Sequence, residues 1–223
     1  MLKMRLLRFL VVATVLCAIA ATASAALDLA PSWRGSNGST YQNWGLGTNS
    51  TTPAPDSVNN PYGTPTAAIT VGEFGEGWFD QLPGFGSQSG FWDMGSAGTI
   101  ALDVNNASGT GYNEIWVQVT YFQDLFEAPT VDVSASGLIS FLSEETQLLE
   151  HVGTGGDWFT TLTKWRVDPN PNSQTITVTS GMMGSVIDNV TIDAVAVAVP
   201  EPSSMIALLM GGSTLLMLRR RRA

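Results

Sequence analysis

The sequence predicts an all-β protein, an antiparallel β-sandwich of the jelly-roll type. Three observations support this fold class: short runs rich in β-branched and aromatic residues, turn signals between the runs, and almost no helical periodicity. The clearest run is residues 114–122, EIWVQVTYF, in which alternate residues fall on opposite faces and both faces carry apolar residues. A strand of this kind is expected to lie centrally, with a second layer packed against it.

Further runs of the same type extend along the chain, and clusters of Asn, Gly, Ser and Pro separate them as turns require. These predicted strands cover residues 66–71, 99–104, 130–134, 137–142, 158–167, 175–179 and 185–197. One helical turn is expected over residues 143–149, where Ser143 would cap the turn and Glu144 and Glu145 would favour its N-terminus. Many short strands with so little helix are typical of sandwiches and jelly rolls.

The N-terminus indicates export. Residues 1–25 begin with three basic residues and continue as an apolar stretch, which predicts a signal peptide. The small residues Ala23 and Ala25 mark the expected cleavage point, after Ala25. The only cysteine, Cys17, lies within this peptide, so the mature body is expected to fold without disulfide bonds.

The rest of the chain divides into three parts. Residues 26–65 are rich in Gly, Ser, Asn, Thr and Pro, and they are predicted to form a loop-rich N-terminal segment. This segment either lies across the sandwich or, over residues 49–65, acts as a spacer. Residues 66–199 are predicted to form the β-sandwich domain, and residues 200–223 are predicted to form a separate C-terminal tail with a single transmembrane helix.

The C-terminal tail has three parts in a fixed order. Pro200, Glu201 and Pro202 come first, and the two prolines end the preceding strand and keep the backbone extended. Residues 203–218 then carry no charge, and as a helix they would be about 24 Å long, shorter than the ~30 Å hydrocarbon core of a membrane. A basic cluster follows, formed by Arg219, Arg220, Arg221 and Arg222. The pattern favours a span that is held until it is cut, and the alternative is a permanent anchor with its arginines on the cytoplasmic side.

This tail resembles the PEP-CTERM sorting signal of exported bacterial proteins, and the resemblance covers about a tenth of the chain. It implies recognition at residues 200–202 by an exosortase, a membrane enzyme of transpeptidase type. It also implies export through the inner membrane, transient anchoring by the C-terminal helix, and delivery to the cell surface or the medium. Members of this family accompany exopolysaccharide or biofilm production, so exopolysaccharide is an expected partner.

The body of the protein, residues 26–199, is strongly acidic. It holds eighteen of the nineteen acidic residues but only three basic ones, Arg34, Lys164 and Arg166, which gives a formal net charge of −15. Such a surface repels phosphate groups, so nucleic-acid binding is not expected. It is compatible with cations, neutral glycans and a crowded extracellular matrix, and it also favours solubility.

Few residues in the body suit catalysis. The one histidine, His151, stands beside a Gly-rich turn and is interpreted as a surface residue. The sequence contains no nucleophile elbow and no phosphate-binding glycine loop. We therefore predict a protein that is not an enzyme, and an acid pair in a cleft is the enzymatic alternative.

Two kinds of binding site are consistent with the sequence. Exposed tryptophan rings can stack on sugar rings, and Trp78 and Trp92 are the first candidates among seven tryptophans, with burial in the core as the alternative. Asp103 and Asp188 are candidate ligands of a structural calcium ion, and no other cofactor is expected. The last predicted strand, SVIDNVTIDAVAV, resembles the closing strand of galactose-binding-like and carbohydrate-binding jelly rolls. The sequence thus predicts a non-enzymatic matrix component, with a carbohydrate-binding module as the alternative.

Overall fold

The computed structural model describes residues 28–123 and 127–199. The predicted signal peptide, with Ala23 and Ala25, and the predicted sorting signal, with residues 200–202 and 219–222, lie outside the described residues. Within the described ranges, no helix has the length and apolar character needed to cross a membrane.

The described residues form twelve β-strands and one short 3₁₀ helix. The strands are β1 (Ser39–Trp44), β2 (Ser57–Asn59), β3 (Thr66–Thr70), β4 (Gly77–Phe79), β5 (Phe91–Asp93), β6 (Thr99–Asn105), β7 (Tyr112–Gln123), β8 (Thr130–Ala135), β9 (Leu138–His151), β10 (Asp157–Asp168), β11 (Ser173–Thr179) and β12 (Val186–Val197), and the 3₁₀ helix is Gly153–Gly155.

These strands form two antiparallel sheets, and the prediction of an all-β fold is confirmed at this level. The larger sheet has the order β2-β1-β12-β7-β10-β9, and β5 attaches β4 to β12. The smaller sheet has the order β3-β6-β11-β8. Every pairing between these strands is antiparallel.

The main hydrophobic core combines alternate residues from both sheets. On β7, Ile115, Val117 and Val119 belong to this core, because side chains two residues apart share a face of a strand. The larger sheet adds the buried β12 residues Ile187, Val190 and Ile192, and the smaller sheet adds Ile100, Leu102, Ile176 and Val178. Full burial of each aliphatic side chain contributes about 1.5–3 kcal/mol to stability, so this core supplies the main driving force for folding.

A second, smaller hydrophobic cluster explains why β7 is apolar on both faces. Phe122 packs with Phe91, Trp158 and Val186, away from the main core. The segment after β4 covers this cluster, since the Phe85 ring centroid lies 4.5 Å from that of Phe122. The indole N–H of Trp158 also donates to the carbonyl of Phe85 at 2.6 Å. A loop segment therefore covers this face of β7, while the smaller sheet packs on the other face.

β1 corrects the predicted division of the chain at residue 66. Residues 26–65 are predicted to be loop-rich, yet Ser39–Trp44 pairs along its whole length with β12, and Trp44 is fully buried. Gln42 and Asn43 have low strand propensity, but pairing with a long partner strand outweighs a local preference of this size. The larger sheet therefore begins well before residue 66.

The helical turn predicted over residues 143–149 is wrong. Residues of this stretch lie within β9, a strand of fourteen residues that pairs with β10. The capping preference of Ser143 and the acidic pair Glu144 and Glu145 amount to local effects of about 1 kcal/mol each. A continuous ladder of backbone hydrogen bonds to β10 overrides them.

The segment before β1 is tied to the outer face of the larger sheet by Arg34. The Nε and Nη2 atoms of Arg34 donate to the carboxylate of Asp193 at 2.6 and 2.7 Å, and the same guanidinium pairs with Asp28. The Asp193 side chain is fully buried. Burial raises the pKa of Asp193, and the hydrogen bonds and charge of Arg34 oppose that rise. Next to this cluster, the backbone N–H of Leu29 donates to Oε1 of Gln118 at 2.6 Å.

Replacement of Arg34 is expected to be strongly destabilising. We expect Arg34→Met to lower the free energy of unfolding by about 3–5 kcal/mol, because it leaves the buried Asp193 carboxylate without its partner. The double variant, Arg34→Met with Asp193→Asn, should lose less unfolding free energy than the two single variants lose in sum. Arg166→Met is the matched control, since the side chains of its ion pair with Asp168 are 40% and 48% exposed, and it should cost less than about 1 kcal/mol. Urea denaturation of Arg34→Met, Asp193→Asn, the double variant and Arg166→Met measures these losses. Equal losses for Arg34→Met and Arg166→Met would contradict the expectation.

Candidate functional site

The structure places the two candidate sugar-stacking tryptophans against the core. Trp92 is 2% exposed and belongs to the main core, and its cross-strand neighbour Trp78 is half-buried. The indole N–H of Trp78 donates to the carbonyl of Leu46 at 3.1 Å. A ring at the exposure of Trp92 presents no face to a sugar, so the expected stacking role does not fit its position. All the other tryptophans are also buried or half-buried.

The two candidate calcium ligands lie in different sheets. Asp103 is exposed on β6, where it accepts a hydrogen bond from Oγ1 of Thr175 at 2.6 Å, whereas Asp188 is buried in β12. The structure therefore does not bring them together. In residues 28–123 and 127–199, no group of three or more His, Cys, Asp or Glu residues is arranged to hold a metal ion. His151 is exposed, as expected, with its Nδ1 2.5 Å from Oδ1 of Asp157.

Asp188 occupies a β-bulge in the middle of the larger sheet. Ile187 and Asn189 pair with consecutive residues of β7, so Asp188 is the extra residue that interrupts the register. Its burial raises the pKa of the carboxyl to about 7. The folded protein therefore retains a proton on this side chain at pH values where an unfolded aspartate, with a pKa of about 3.9, has lost it.

Asp188 should make the protein less stable as the pH rises. The stabilisation from its raised pKa is fully present below about pH 4 and is lost as the pH rises to about 7. We expect the free energy of unfolding to fall by a few kcal/mol across this window, at about 1.4 kcal/mol for each unit of pKa difference. Asp188→Asn should flatten the fall. Asp193, whose pKa is also raised by burial, acts in the same direction and leaves a residual slope. Denaturation curves between pH 4 and 8 measure the effect, and an unchanged slope in Asp188→Asn would exclude this carboxyl as its source.

The feature with the clearest capacity to bind another molecule is the β9 edge, which we define as the outer side of β9, Leu138–His151. In the part of the chain that the structure describes, β9 pairs with β10 alone and ends the larger sheet. Leu142 and Leu149 are bulge residues that have no partner in the register with β10. Between these bulges, residues 143–148 form a regular strand segment with one unpaired side. Its backbone N–H and C=O groups on that side are available to another strand.

Large apolar side chains are exposed along the β9 edge. Leu138 is 72% exposed, Phe141 52%, Leu142 51% and Leu148 56%. The register with β10 places Phe141 and Leu148 on the same face as Trp165 and Phe159, which is the face that packs on the core. Phe141 and Trp165 form an edge-to-face pair with ring centroids 5.1 Å apart. The apolar surface of the core thus continues outward to the edge of the sheet.

Acidic residues border this apolar surface. Glu144 and Glu145 are exposed on β9, while Glu150 accepts hydrogen bonds from Ser87, at 3.0 Å from the backbone N–H and 2.8 Å from Oγ. The β10 cation Lys164 lies over the ring of Trp116, 3.9 Å from its centroid. The β9 edge is therefore acidic, apolar and rich in free backbone hydrogen-bonding groups. These properties suit strand pairing rather than a chemical reaction.

The predicted strand over residues 137–142 stops before most of the β9 edge, which extends to His151. A signal was present: residues 138–151 contain no Gly or Pro, and the apolar pairs Phe141-Leu142 and Leu148-Leu149 flank a polar stretch. Those pairs mark the two bulges. The position of β9 at an edge, by contrast, follows from the order of pairing over the whole sheet and has no local sequence signal.

Comparison with protein-family models and with curated proteins finds no match for this chain.

The roles of Trp78 and Trp92 can be separated by stability measurements. We expect Trp92→Ala to lower the free energy of unfolding by about 3–5 kcal/mol, because it leaves a cavity in the core. Trp78→Phe keeps a ring but removes the donor to Leu46, and it should cost about 1 kcal/mol. Urea denaturation followed by circular dichroism gives both values. Loss of polysaccharide retention with unchanged stability would instead support sugar stacking by these side chains.

Proposed function

We propose that this chain is an exported, non-enzymatic protein of the cell surface or the medium, sorted by an exosortase-type system and associated with the extracellular matrix or exopolysaccharide. The observation that carries the proposal is the order of the C-terminal tail. Pro200, Glu201 and Pro202, an uncharged stretch and then four arginines stand in the arrangement of a sorting signal. The predicted signal peptide at residues 1–25 agrees with the same route.

The position of the tail relative to the fold supports this proposal. β12 ends at Val197, three residues before Pro200, so the sorting motif follows directly after the last strand. Residues 198 and 199 have no regular secondary structure, and the two prolines cannot continue a ladder of hydrogen bonds. A processing enzyme at the membrane would therefore meet the motif within a few residues of a folded domain.

The surface charge of the protein does not favour contact with nucleic acids. The described basic side chains each lie over an aromatic ring: Arg34 over Tyr41 at 4.1 Å, Lys164 over Trp116 at 3.9 Å and Arg166 over Tyr112 at 3.8 Å, measured to the ring centroids. In such stacking the positive charges interact with aromatic rings of the same protein. The acidic residues then dominate the field around the molecule, which suits a hydrated matrix of neutral glycans.

The finer fold assignment belongs to the same proposal. In the order β1-β12-β7-β10, the first strand of the larger sheet lies beside the last strand of the chain. This arrangement is typical of jelly rolls, in which two Greek keys interleave the ends of the chain. In the alternative, a carbohydrate-binding module, Trp92 is too buried to stack on a sugar, and the half-buried Trp78 remains the one candidate of the two. We favour matrix association, because a sugar site at this pair would lack one of its two rings.

The intact mass and the C-terminal peptide of the protein from its own cells test the proposed route. We expect the chain to begin at Ala26 and to end near Pro202, without residues 219–222. Added hexose mass would indicate attachment to a glycan or glycosylation of the body. A chain that ends at Ala223 would indicate a permanent anchor and would overturn sorting by cleavage.

A variant pair separates the motif from general effects on the tail. Pro200→Ala combined with Pro202→Ala should leave the tail uncut and retain the protein in the membrane fraction, because the extended motif is lost. Ser203→Ala combined with Ser204→Ala is the matched control, and it should be processed as the wild type is. Equal processing of both double variants would exclude the Pro-Glu-Pro motif as the recognised element.

A further inference from the structure

We propose that the β9 edge pairs with the β9 edge of a second copy of this chain, in an antiparallel register centred on Thr146. The pairing would join the larger sheets of two copies into one continuous sheet. This inference rests on the geometry of the folded domain and does not depend on the proposed sorting route.

The unpaired backbone of the β9 edge determines the kind of partner. Residues 143–148 are a regular strand segment, and no strand of residues 28–123 or 127–199 pairs with its outer side. A second extended strand satisfies these N–H and C=O groups in full, whereas a sugar or a flat surface satisfies only a few of them. The other edge strands of the described sheets are shorter than the fourteen residues of β9: β2 and β4 have three residues each, β3 has five and β8 six. The β9 edge is therefore the longest of these edges, and its regular segment alone equals β8 in length.

The β9 edge also lacks most of the devices that keep strand edges apart. It contains no lysine and no proline, and Leu138, Phe141, Leu142 and Leu148 are all more than half exposed. Natural sheet edges are commonly protected by lysine, proline or inward-pointing charge. The two bulges do limit pairing, because they bend the strand at Leu142 and Leu149. The regular segment between them remains open.

If a two-fold axis normal to the sheet relates the two copies, only some registers of self-pairing are possible. It keeps the core faces of both copies on the same side, so each residue must oppose a residue of its own face. A centre on Glu144 or Glu145 would place that glutamate directly opposite its own copy. Like charges directly opposite one another are destabilising in a sheet, so these two registers are disfavoured. A centre on Gln147 would place Glu144 opposite Glu150, but the bulge at Leu149 puts those two side chains on different faces, so the ladder does not continue past the bulge.

Centres on Ser143 or Leu148 conflict with the faces of the strand instead. A centre on Ser143 places Glu145 opposite Phe141, and the bulge at Leu142 puts those two side chains on different faces. A centre on Leu148 places Thr146 opposite Glu150, with the same conflict across the bulge at Leu149. In neither register can the ladder of hydrogen bonds continue past the bulge with opposing side chains on the same face.

A centre on Thr146 avoids both problems. Thr146 then lies opposite its own copy, which is a favourable cross-strand pair, and Glu144 lies opposite Leu148. Glu145 lies opposite Gln147, so no glutamate of the regular segment faces another. Phe141 of each copy lies diagonal to Leu148 of the other, within reach of a large side chain. The exposed apolar surface is thereby covered by the same surface of the second copy.

Single-cysteine variants test the register directly. In the full-length chain with Cys17→Ser, purified in a non-ionic detergent, Thr146→Cys places each thiol opposite its own copy. The Cβ atoms of such a pair are about 4.5–5.5 Å apart, close to the separation of about 3.5–4.5 Å in a disulfide. We expect mild oxidation to give a covalent dimer at least tenfold faster than for the neighbouring Gln147→Cys, whose thiol would face Glu145. Equal rates at both positions, or a faster reaction of Gln147→Cys, would overturn the Thr146 register.

Association without an introduced thiol tests the pairing itself. Sedimentation equilibrium of the full-length chain should show dimers. Leu148→Glu should raise the dimer dissociation constant at least tenfold, since it removes apolar contact and places a second glutamate directly opposite Glu144 of the other copy. Met182→Glu is the matched control, because Met182 is 83% exposed but lies outside β9, and it should behave as the wild type does. Association of the apolar tails would be equal in all variants. A monomeric wild type, or equal dimerisation of Leu148→Glu and the control, would overturn the proposal.

Discussion

The fold depends on hydrogen-bond partners for the buried polar side chains of β12. This strand is buried on both faces and hydrogen-bonded on both sides. Its core face is aliphatic, but its other face carries Asn189, Thr191 and Asp193, all of them buried. Burial of such groups costs several kcal/mol unless each finds a partner. Asn43 donates to Oδ1 of Asn189 at 3.0 Å and to Oγ1 of Thr191 at 2.7 Å, and Arg34 binds Asp193. The polar residues of β12 therefore require the segment before and within β1 to fold against it.

This dependence explains which parts of the fold could be predicted from sequence. Runs such as residues 114–122, 158–167 and 185–197 were recognisable because β-branched and aromatic residues alternate over a long stretch. β1 was not recognisable, since Gln42 and Asn43 resemble loop residues until their partners on β12 are known. The helical turn predicted at residues 143–149 failed for the same reason, because a local preference was weighed without the long-range ladder that outweighs it.

The candidate site was harder to predict than the fold. A count of tryptophans indicates aromatic surface, but burial depends on which strand each residue faces, and Trp92 lies against β12 in the core. The β9 edge depends on the order of strands in the finished sheet, which no window of sequence contains. The composition did predict an acidic surface, and the structure adds that the described cations stack on aromatic rings. The glutamates of β9 consequently affect pairing at the edge through their positions in the strand rather than through ion pairs with neighbouring basic residues.

The position of β12 also determines how the domain would respond to a mechanical load. The tail leaves the fold at the C-terminal end of this strand, so tension applied through the tail acts along the axis of β12. β12 is flanked by β7 along almost its whole length on one side and by β1 over residues 190–195 on the other, both antiparallel. Tension along such a strand shears both ladders at once, whereas an edge strand pulled sideways would unzip one hydrogen bond at a time. A protein held at a cell surface by this end would therefore resist extraction with the combined strength of two ladders.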